Sequence, residues 1–240
     1  MTGSGKYLLW DFDGTLAYRP GQWTDTVMAI LRRAGLANGV DRETVRPFMN
    51  AGFPWHEPDT MRGSGKAPDE WWQALEPVLA RAFKHVGRVS DERARELARE
   101  VRYTYLDASA WIVFEDVVPA LTRLSALQWQ HIVLSNHVPE LPQLVERLGL
   151  GHHFEAVHTS AHTGVEKPNP EAFLRVVATL PVGATIWMIG DNPLADIQGA
   201  EAAGIPAILV RHDSPLAARR CANLADVIEL VEGVRLGDAS

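Results

Sequence analysis

Two aspartates are the residues of this chain best suited to chemistry. Asp11 and Asp13 lie in the segment Asp11-Phe12-Asp13-Gly14-Thr15, directly after the apolar residues 7–10. Carboxylates this close repel each other, and a divalent cation relieves the repulsion; ligands that are all oxygen favour Mg²⁺. Gly14 permits a sharp turn and a close approach of a ligand to the backbone. Taken alone, the segment is also compatible with a simple turn built from Asp and Gly.

A hydroxyl, an amide and a lysine provide groups that bind anionic oxygens. Ser135 and Asn136 follow the apolar residues 132–134, at the end of a predicted strand. Lys167 precedes a Pro-Asn-Pro segment, whose prolines fix the local backbone and start a helix. Each group also has an ordinary interpretation, as a strand cap or turn for the first two residues and as a surface lysine for the third.

A second pair of carboxylates follows another apolar segment. Asp191 comes after residues 186–189, and Asp196 lies one turn into the predicted helix 193–203. A cation shared with Asp11 requires such a second source of oxygen, although Asp191 is also a plausible helix N-cap. Because parallel strands present their carboxyl ends at one edge of a sheet, the order of these groups predicts one shared crevice.

The spacing of apolar residues predicts an α/β fold. Short segments rich in β-branched residues alternate with helical periodicity, which indicates right-handed crossovers and a doubly wound parallel sheet of the Rossmann-like type. The predicted strands are residues 7–10, 132–134, 156–158, 186–189 and 207–210. The predicted helices between them are 117–127, 141–148, 170–180 and 193–203, the last ended by Gly204.

A long interval after the first strand breaks this alternation. A βαβ unit needs roughly 30 residues, whereas the second strand begins only near residue 131. Helical periodicity predicts helices at 24–35, 42–50, 69–85 and 90–107, with N-caps at Asp69 and Ser90 and a loop at 51–68. We therefore predict a helical subdomain, residues 18-107, inserted into a core made of residues 1-17 and 108-240.

The composition excludes several classes of protein. The 240 residues are 46% hydrophobic, which is too apolar for a disordered chain. An excess of 30 acidic over 23 basic residues argues against a binder of duplex nucleic acid. The single cysteine, Cys221, cannot form an intramolecular disulfide, and the longest apolar runs are of strand length. We expect a cytoplasmic protein without a membrane partner, either a monomer or a homodimer.

Taken in order, these segments resemble the four motifs of the haloacid dehalogenase-like (HAD) hydrolase superfamily. The resemblance rests on the Asp11–Thr15 segment, Ser135-Asn136, Lys167, and Gly190-Asp191 with Asp196, and it covers nearly the whole chain. It implies the phosphatase branch, with the inserted helices as a small cap. It also implies that Asp11 attacks phosphorus to form a phosphoaspartate, and that Asp13 protonates the leaving alkoxide and then activates water.

The resemblance further implies the binding residues. Ser135 and the amide of Asn136 would hold the transferring phosphoryl group, and Lys167 would pair with its charge and with Asp11. The implied cofactor is Mg²⁺, with the ligand set Asp11, Asp13 through its carbonyl, Asp191 and Asp196. Thr15, as part of the first motif, is assigned to substrate binding. The partner would be a small phosphorylated substrate.

Within the cap, Trp55 and His56 are candidate substrate contacts, because their loop resembles the one that the family lowers over the site. Trp55 could equally pack inside the cap. Trp71 and Trp72 occupy adjacent helical positions, so we expect one inside the cap and the other either at the seam between cap and core or partly exposed. Three alternatives stay open: a phosphomutase, a non-catalytic binding module, and a dehalogenase. The dehalogenase is disfavoured because a departing halide needs no proton from Asp13.

Overall fold

The structure, a computed structural model, describes residues 5–63, 65 and 67–233. Its strands are β1 (Lys6–Trp10), β2 (Ala17–Tyr18), β3 (Ile112–Val113), β4 (Trp129–Ser135), β5 (Ala156–Thr159), β6 (Thr185–Gly190), β7 (Ala207–Val210) and β8 (Arg220–Cys221). Its α-helices are α1 (Gln22–Arg33), α2 (Arg42–Met49), α3 (Pro68–Gly87), α4 (Asp91–Tyr105), α5 (Val117–Ala126), α6 (Leu141–Arg147), α7 (Ser160–Thr163), α8 (Pro170–Val177), α9 (Gly199–Ala202) and α10 (Ala225–Glu232).

The main sheet confirms the predicted doubly wound topology. In the described residues it has six strands in the order β5-β4-β1-β6-β7-β8, and neighbouring strands are parallel. The chain winds outward from β1 in one direction through β4 and β5, and in the other direction through β6, β7 and β8. The carboxyl ends of β1, β4 and β6 therefore lie side by side at the point where the winding reverses, which is where such sheets bind ligands.

A short antiparallel pair was not predicted from the sequence. Ala17 of β2 pairs with Val113 of β3, and the ring centroids of Tyr18 and Phe114 lie 4.8 Å apart. Strands of two residues are too short to show a period, so hydrophobic patterning carries no signal for them.

The chain divides into two compact units. The core unit comprises Met1–Tyr18, Pro58–Ser64 and Ile112–Ser240, and the helical unit comprises Arg19–Glu57 and Gly65–Trp111. These limits differ from the predicted insert at 18-107. The β2–β3 pairing keeps Tyr18 in the core unit, and the amide of Arg62 donates to the Gly164 carbonyl (2.9 Å), which fixes the segment around Arg62 to the same unit.

The helical unit contains α1 to α4. Ser90 caps α4 as predicted, since its hydroxyl accepts from the Arg93 amide (3.3 Å). The N-cap prediction for Asp69 is wrong, because α3 begins one residue earlier at Pro68, whose fixed φ suits a first helical position. No helix in the described part of the chain has both the length and the apolar character needed to cross a bilayer.

Both tryptophans of the doublet in α3 are buried. Trp71 and Trp72 are each 8% exposed, so the alternative that one of them stays partly exposed is wrong, whereas the alternative at the seam stays a prediction. The reason is that α1, α2 and α4 all pack against α3, which buries a wider arc of this helix than a single interface would. The ring of Trp72 lies 6.1 Å from that of Trp23.

Candidate active site

The turn after β1 places Asp11 at the centre of the sheet edge. The Asp11 amide donates to the carbonyl of Ile189 in β6 (2.9 Å), and the Phe12 carbonyl accepts the amides of the following turn. Gly14 has φ +78°, and a β-carbon there would collide with the carboxylate of Asp191. The glycine is therefore required both for the conformation of the turn and for the space that Asp191 occupies.

Lys167 is the central cation of this site. Its ammonium group, 2% exposed, donates to Asp11 Oδ1 (2.8 Å), Asp196 Oδ1 (2.6 Å) and the Leu134 carbonyl (2.8 Å). Burial alone would lower the pKa of Lys167, but the two carboxylates outweigh burial and raise the pKa above its usual value. The lysine is therefore charged at neutral pH.

Asn136 fixes the backbone of Lys167. Its side-chain Nδ2 donates to the Lys167 carbonyl and its Oδ1 accepts from the Lys167 amide, both at 2.8 Å. Ser135, the last residue of β4, is buried beside it. The side chain of Asn136 is committed to Lys167, so only its backbone amide corresponds to the predicted phosphoryl contact.

The predicted helix 193–203 is divided in two. A π-helical turn, Pro193–Gln198, precedes α9, and Asn192 rather than Asp191 caps the turn, with its Oδ1 accepting two amides at 3.0 Å. Asp196 Oδ2 accepts from the Asn192 amide (2.9 Å) while its other oxygen binds the buried lysine. The wider turn fits these two contacts of one carboxylate, and such turns are frequent at functional sites.

Three of the carboxylates form a group that could hold a metal ion. Asp11, Asp191 and Asp196 each offer one oxygen, and these atoms lie within 4.8 Å of one another. Burial and the charge of Asp11 raise the pKa of Asp191, and burial raises that of Asp196 although Lys167 opposes it. The carboxylates outnumber the single lysine and all offer oxygen, so they fit a divalent cation such as Mg²⁺.

Asp13 lies next to this group. Among the described residues its Oδ1 is buried and has no hydrogen-bond partner, and its Oδ2 lies 3.7 Å from His137 Nε2. Burial and the charges of Asp11 and Asp191 raise the pKa of Asp13 well above its usual range. Burial lowers the pKa of His137 to about 4, so this imidazole is neutral at neutral pH. Asp13 can therefore carry a proton at the edge of the site.

The sequence matches the family of haloacid dehalogenase-like hydrolases over residues 6–204. The chain belongs to this family. The predicted HAD membership is thus confirmed, and the fold agrees with it. The HAD-hydrolase YfnB of Bacillus subtilis, solved bound to magnesium, superposes with a TM-score of 0.72 at 18% identity, covering 95% of this chain and 99% of that one.

Curated HAD relatives include phosphatases. A ribulose-1,5-bisphosphate 5-phosphatase of Halopiger xanaduensis is 30% identical over 206 residues, which is 84% of this chain and 83% of that protein. A phosphoserine phosphatase of Thermus thermophilus is 36% identical over 145 residues, or 56% of this chain and 53% of that protein. The chain spans only 53% to 61% of the length of the first three curated relatives that it matches.

Two residues at this site were missed in the sequence. Arg211 Nε donates to the carbonyl of Thr15 (3.0 Å), and His212 Nε2 lies 3.5 Å from Asp191 Oδ2. Both directly follow β7, so their position at a strand end was a usable signal. Thr15 is buried, and its carbonyl accepts the hydrogen bond from Arg211. Its contact with substrate stays a prediction.

Trp55 and His56 lie in the helical unit, within a 3₁₀ turn. The Trp55 ring stacks on Phe53 with centroids 4.8 Å apart, and it also lies 5.8 Å from Trp23. His56 Nδ1 accepts from the Phe53 amide (3.3 Å), and burial lowers the pKa of His56. These contacts give Trp55 a packing role inside its own unit; substrate contact by either residue stays a prediction.

Proposed function

We propose that this chain is a Mg²⁺-dependent phosphatase that hydrolyses a small phosphorylated metabolite through a phosphoaspartate at Asp11. One observation carries the proposal: a buried, charged lysine binds the carboxylates of Asp11 and Asp196, and Asp13 follows two residues after Asp11. This arrangement combines a nucleophile, a fixed positive charge and a proton carrier, which are the components that phosphoryl transfer through an aspartate requires.

In the first half-reaction, a carboxylate oxygen of Asp11 forms a bond to phosphorus as the bond to the leaving oxygen breaks. Asp13 gives its proton to that oxygen, so the product leaves as an alcohol. Lys167 neutralises part of the charge on the equatorial oxygens, and Ser135 with the backbone amide of Asn136 would hold them.

In the second half-reaction, water attacks the phosphorus of the phosphoaspartate. Asp13, now a carboxylate, takes a proton from this water, and the bond between phosphorus and Asp11 breaks. Inorganic phosphate leaves, and both aspartates return to their starting states. Splitting one displacement into two lowers each barrier, because the attacking oxygen in the first step belongs to the protein itself.

Asp11, Asp191, Asp196 and the carbonyl of Asp13 would hold Mg²⁺, with Asp196 acting directly or through water. The ion would add positive charge beside the transferring phosphoryl group when bound. Lys167 occupies one oxygen each of Asp11 and Asp196, so it keeps these two carboxylates in place independently of the metal.

The proposed substrate is small because the HAD relatives named above are, by their names, phosphatases of phosphoserine and of a sugar bisphosphate. In this proposal the helical unit acts as the cap, and Trp55 and His56 contact the leaving group. A cytoplasmic location, the absence of nucleic-acid and membrane partners, and a monomeric or homodimeric state stay predictions.

Release of inorganic phosphate from 4-nitrophenyl phosphate, with Mg²⁺ or with EDTA, tests the proposal. We expect turnover that requires Mg²⁺ and is abolished in Asp11→Asn. Asp91→Asn is the matched control, because Asp91 is an exposed residue of the helical unit that pairs with Lys84. The proposal would be overturned if no phosphate were released from this ester or from a panel of phosphorylated sugars and acids. Transfer of phosphate between sugar positions without net release would indicate a phosphomutase.

A further inference from the structure

Arg211, which directly follows β7, connects the turn after β1 with the segment that precedes α5. Its Nε donates to the Thr15 carbonyl (3.0 Å), and its Nη2 and Nη1 donate to the two carboxylate oxygens of Asp116 (2.7 and 3.3 Å). The guanidinium carbon lies 3.7 Å from the centroid of the Phe114 ring. The planar guanidinium thus makes three directed contacts and one stacking contact, a combination that a lysine cannot reproduce.

The carboxylate that receives Arg211 is itself fixed. Asp116 Oδ2 also accepts from the Leu224 amide (2.9 Å), at the start of α10. Burial would raise the pKa of Asp116, but Arg211 and this amide outweigh burial and lower it. The side chains of Arg211 and Asp116 are 14% and 25% exposed, so the pair is partly buried and is screened less by solvent and salt than a fully exposed pair.

The backbone at Arg211 adopts a conformation that favours glycine. Its φ is +65°, in the left-handed region that arginine rarely occupies. The amide of Arg211 donates to the Cys221 carbonyl (3.1 Å), which holds this conformation. Arginine is unfavourable in this backbone conformation, and the side-chain contacts of Arg211 offset part of that cost.

Thr15, which receives the Nε–H, belongs to the same turn as Asp13. The Gly14 amide donates to the Ala17 carbonyl (2.8 Å), and Asp13 bridges to Ala17. Restraining the Thr15 carbonyl therefore restrains the turn that carries Asp13. The guanidinium also stacks on Phe114, whose amide donates to the Leu16 carbonyl in the same turn (3.2 Å). Arg211 therefore restrains this turn both at Thr15 and, through Phe114, at Leu16.

We propose that Arg211 is a positioning residue for Asp13 and that it sets how efficiently Asp13 protonates the leaving group. The inference rests on the proposed function. In the affected step, the Asp13 proton moves to the leaving oxygen while Asp11 bonds to phosphorus and the old P–O bond breaks. A displaced Asp13 slows this step most when the leaving oxygen is strongly basic, since such an oxygen departs poorly without a proton.

The test compares kcat/KM, which reports formation of the phosphoenzyme, for phenyl phosphate and 4-nitrophenyl phosphate. Phenolate is the more basic leaving group. Arg211→Asn removes the side-chain contacts, and asparagine tolerates positive φ. Arg211→Lys keeps the positive charge but lacks the planar guanidinium that binds both oxygens of Asp116. Arg123→Asn is the control, because Arg123 is an exposed residue of α5.

We expect Arg211→Asn to lose kcat/KM for phenyl phosphate roughly tenfold more than for 4-nitrophenyl phosphate, with Arg211→Lys intermediate and the control unchanged. An equal loss of kcat/KM for both esters in Arg211→Asn would overturn the inference. If Arg211→Asn does not fold, the same comparison is made with Arg211→Lys. A wild-type chain that releases no phosphate from either ester would instead overturn the proposed function, so the two failures are distinguishable.

Discussion

The side chain of Asn136 forms two hydrogen bonds with the backbone of Lys167, one with its carbonyl and one with its amide, both 2.8 Å long. The other end of Lys167 donates three hydrogen bonds to Asp11, Asp196 and Leu134. The lysine is therefore fixed at both ends, and the loop after β4 determines where its charge lies. This coupling links two motifs that are separated along the chain by 31 residues.

Removing this pair of hydrogen bonds should affect both stability and activity. In Asn136→Ala, an amide and a carbonyl of Lys167 lose their partners, which costs about 1–3 kcal/mol of unfolding free energy. The displaced ammonium should lower kcat on the order of 10²-fold. Urea unfolding and phosphate release measure the two effects.

Asn223→Ala provides the comparison for that variant. The Asn223 side chain accepts from the Asp226 amide (3.2 Å) at the start of α10, so its loss costs about 1 kcal/mol. We expect kcat to be unchanged in this control. An Asn136→Ala enzyme that is destabilised but retains full kcat would show that the two hydrogen bonds serve stability alone.

Gly14→Ala and Gly204→Ala separate backbone strain from crowding at the site. Both glycines have φ +78°, but a β-carbon at Gly14 collides with the Asp191 carboxylate, whereas at Gly204 it meets nothing within 4 Å. Gly204→Ala should cost about 1–2 kcal/mol and leave activity intact. Gly14→Ala should cost more and abolish turnover. Chemical unfolding and phosphate release test this, and equal effects of the two changes would refute a spatial requirement at Gly14.

A buried histidine should make stability depend on pH. Trp10 Nε1 donates to His131 Nδ1 (3.0 Å), Ser125 Oγ lies 3.1 Å from its Nε2, and burial lowers the pKa of His131 to about 4 from 6.5. Between these values the unfolded chain binds a proton that the folded chain does not. Stability from this residue is therefore complete above pH 6.5 and is lost as pH falls toward 4, by roughly 3 kcal/mol.

The variant His131→Gln isolates the contribution of His131 to the pH dependence of stability. Urea unfolding of wild type and variant is measured at several pH values between 4 and 7, and the difference between the two curves is taken at each pH. We expect the difference to shrink as pH falls, since the wild type alone loses the contribution of His131. Curves that stay parallel would mean that His131 titrates normally in the folded chain.

The sequence was sufficient for features that depend on local pattern. The strands that carry Asp11 and Asp191 follow from short apolar runs, and topology brings their ends together. Features that depend on tertiary contacts were not predictable. The π-helical turn at Pro193–Gln198 contains Asp196, which binds Lys167, a residue distant in sequence. Hydrophobic periodicity carries no information about such a contact.

The same limit applies to burial and to charge networks. Trp71 and Trp72 are both buried because three neighbouring helices surround α3, which no pattern within α3 specifies. Arg211 follows a predicted strand, but its partners Thr15 and Asp116 come from remote parts of the chain. The sequence therefore predicts where the reactive groups gather and not which residues hold them there.

The proposed mechanism passes through a covalent phosphoryl group on Asp11. Its most direct test is to mix the enzyme with Mg²⁺ and a phosphate monoester, quench in acid, reduce with borohydride and map the peptides by mass spectrometry. Borohydride converts a phosphoaspartate to homoserine, so we predict homoserine at position 11 only when ester and Mg²⁺ are both present. Turnover with no homoserine at position 11, or with the modification at another carboxylate, would contradict the mechanism.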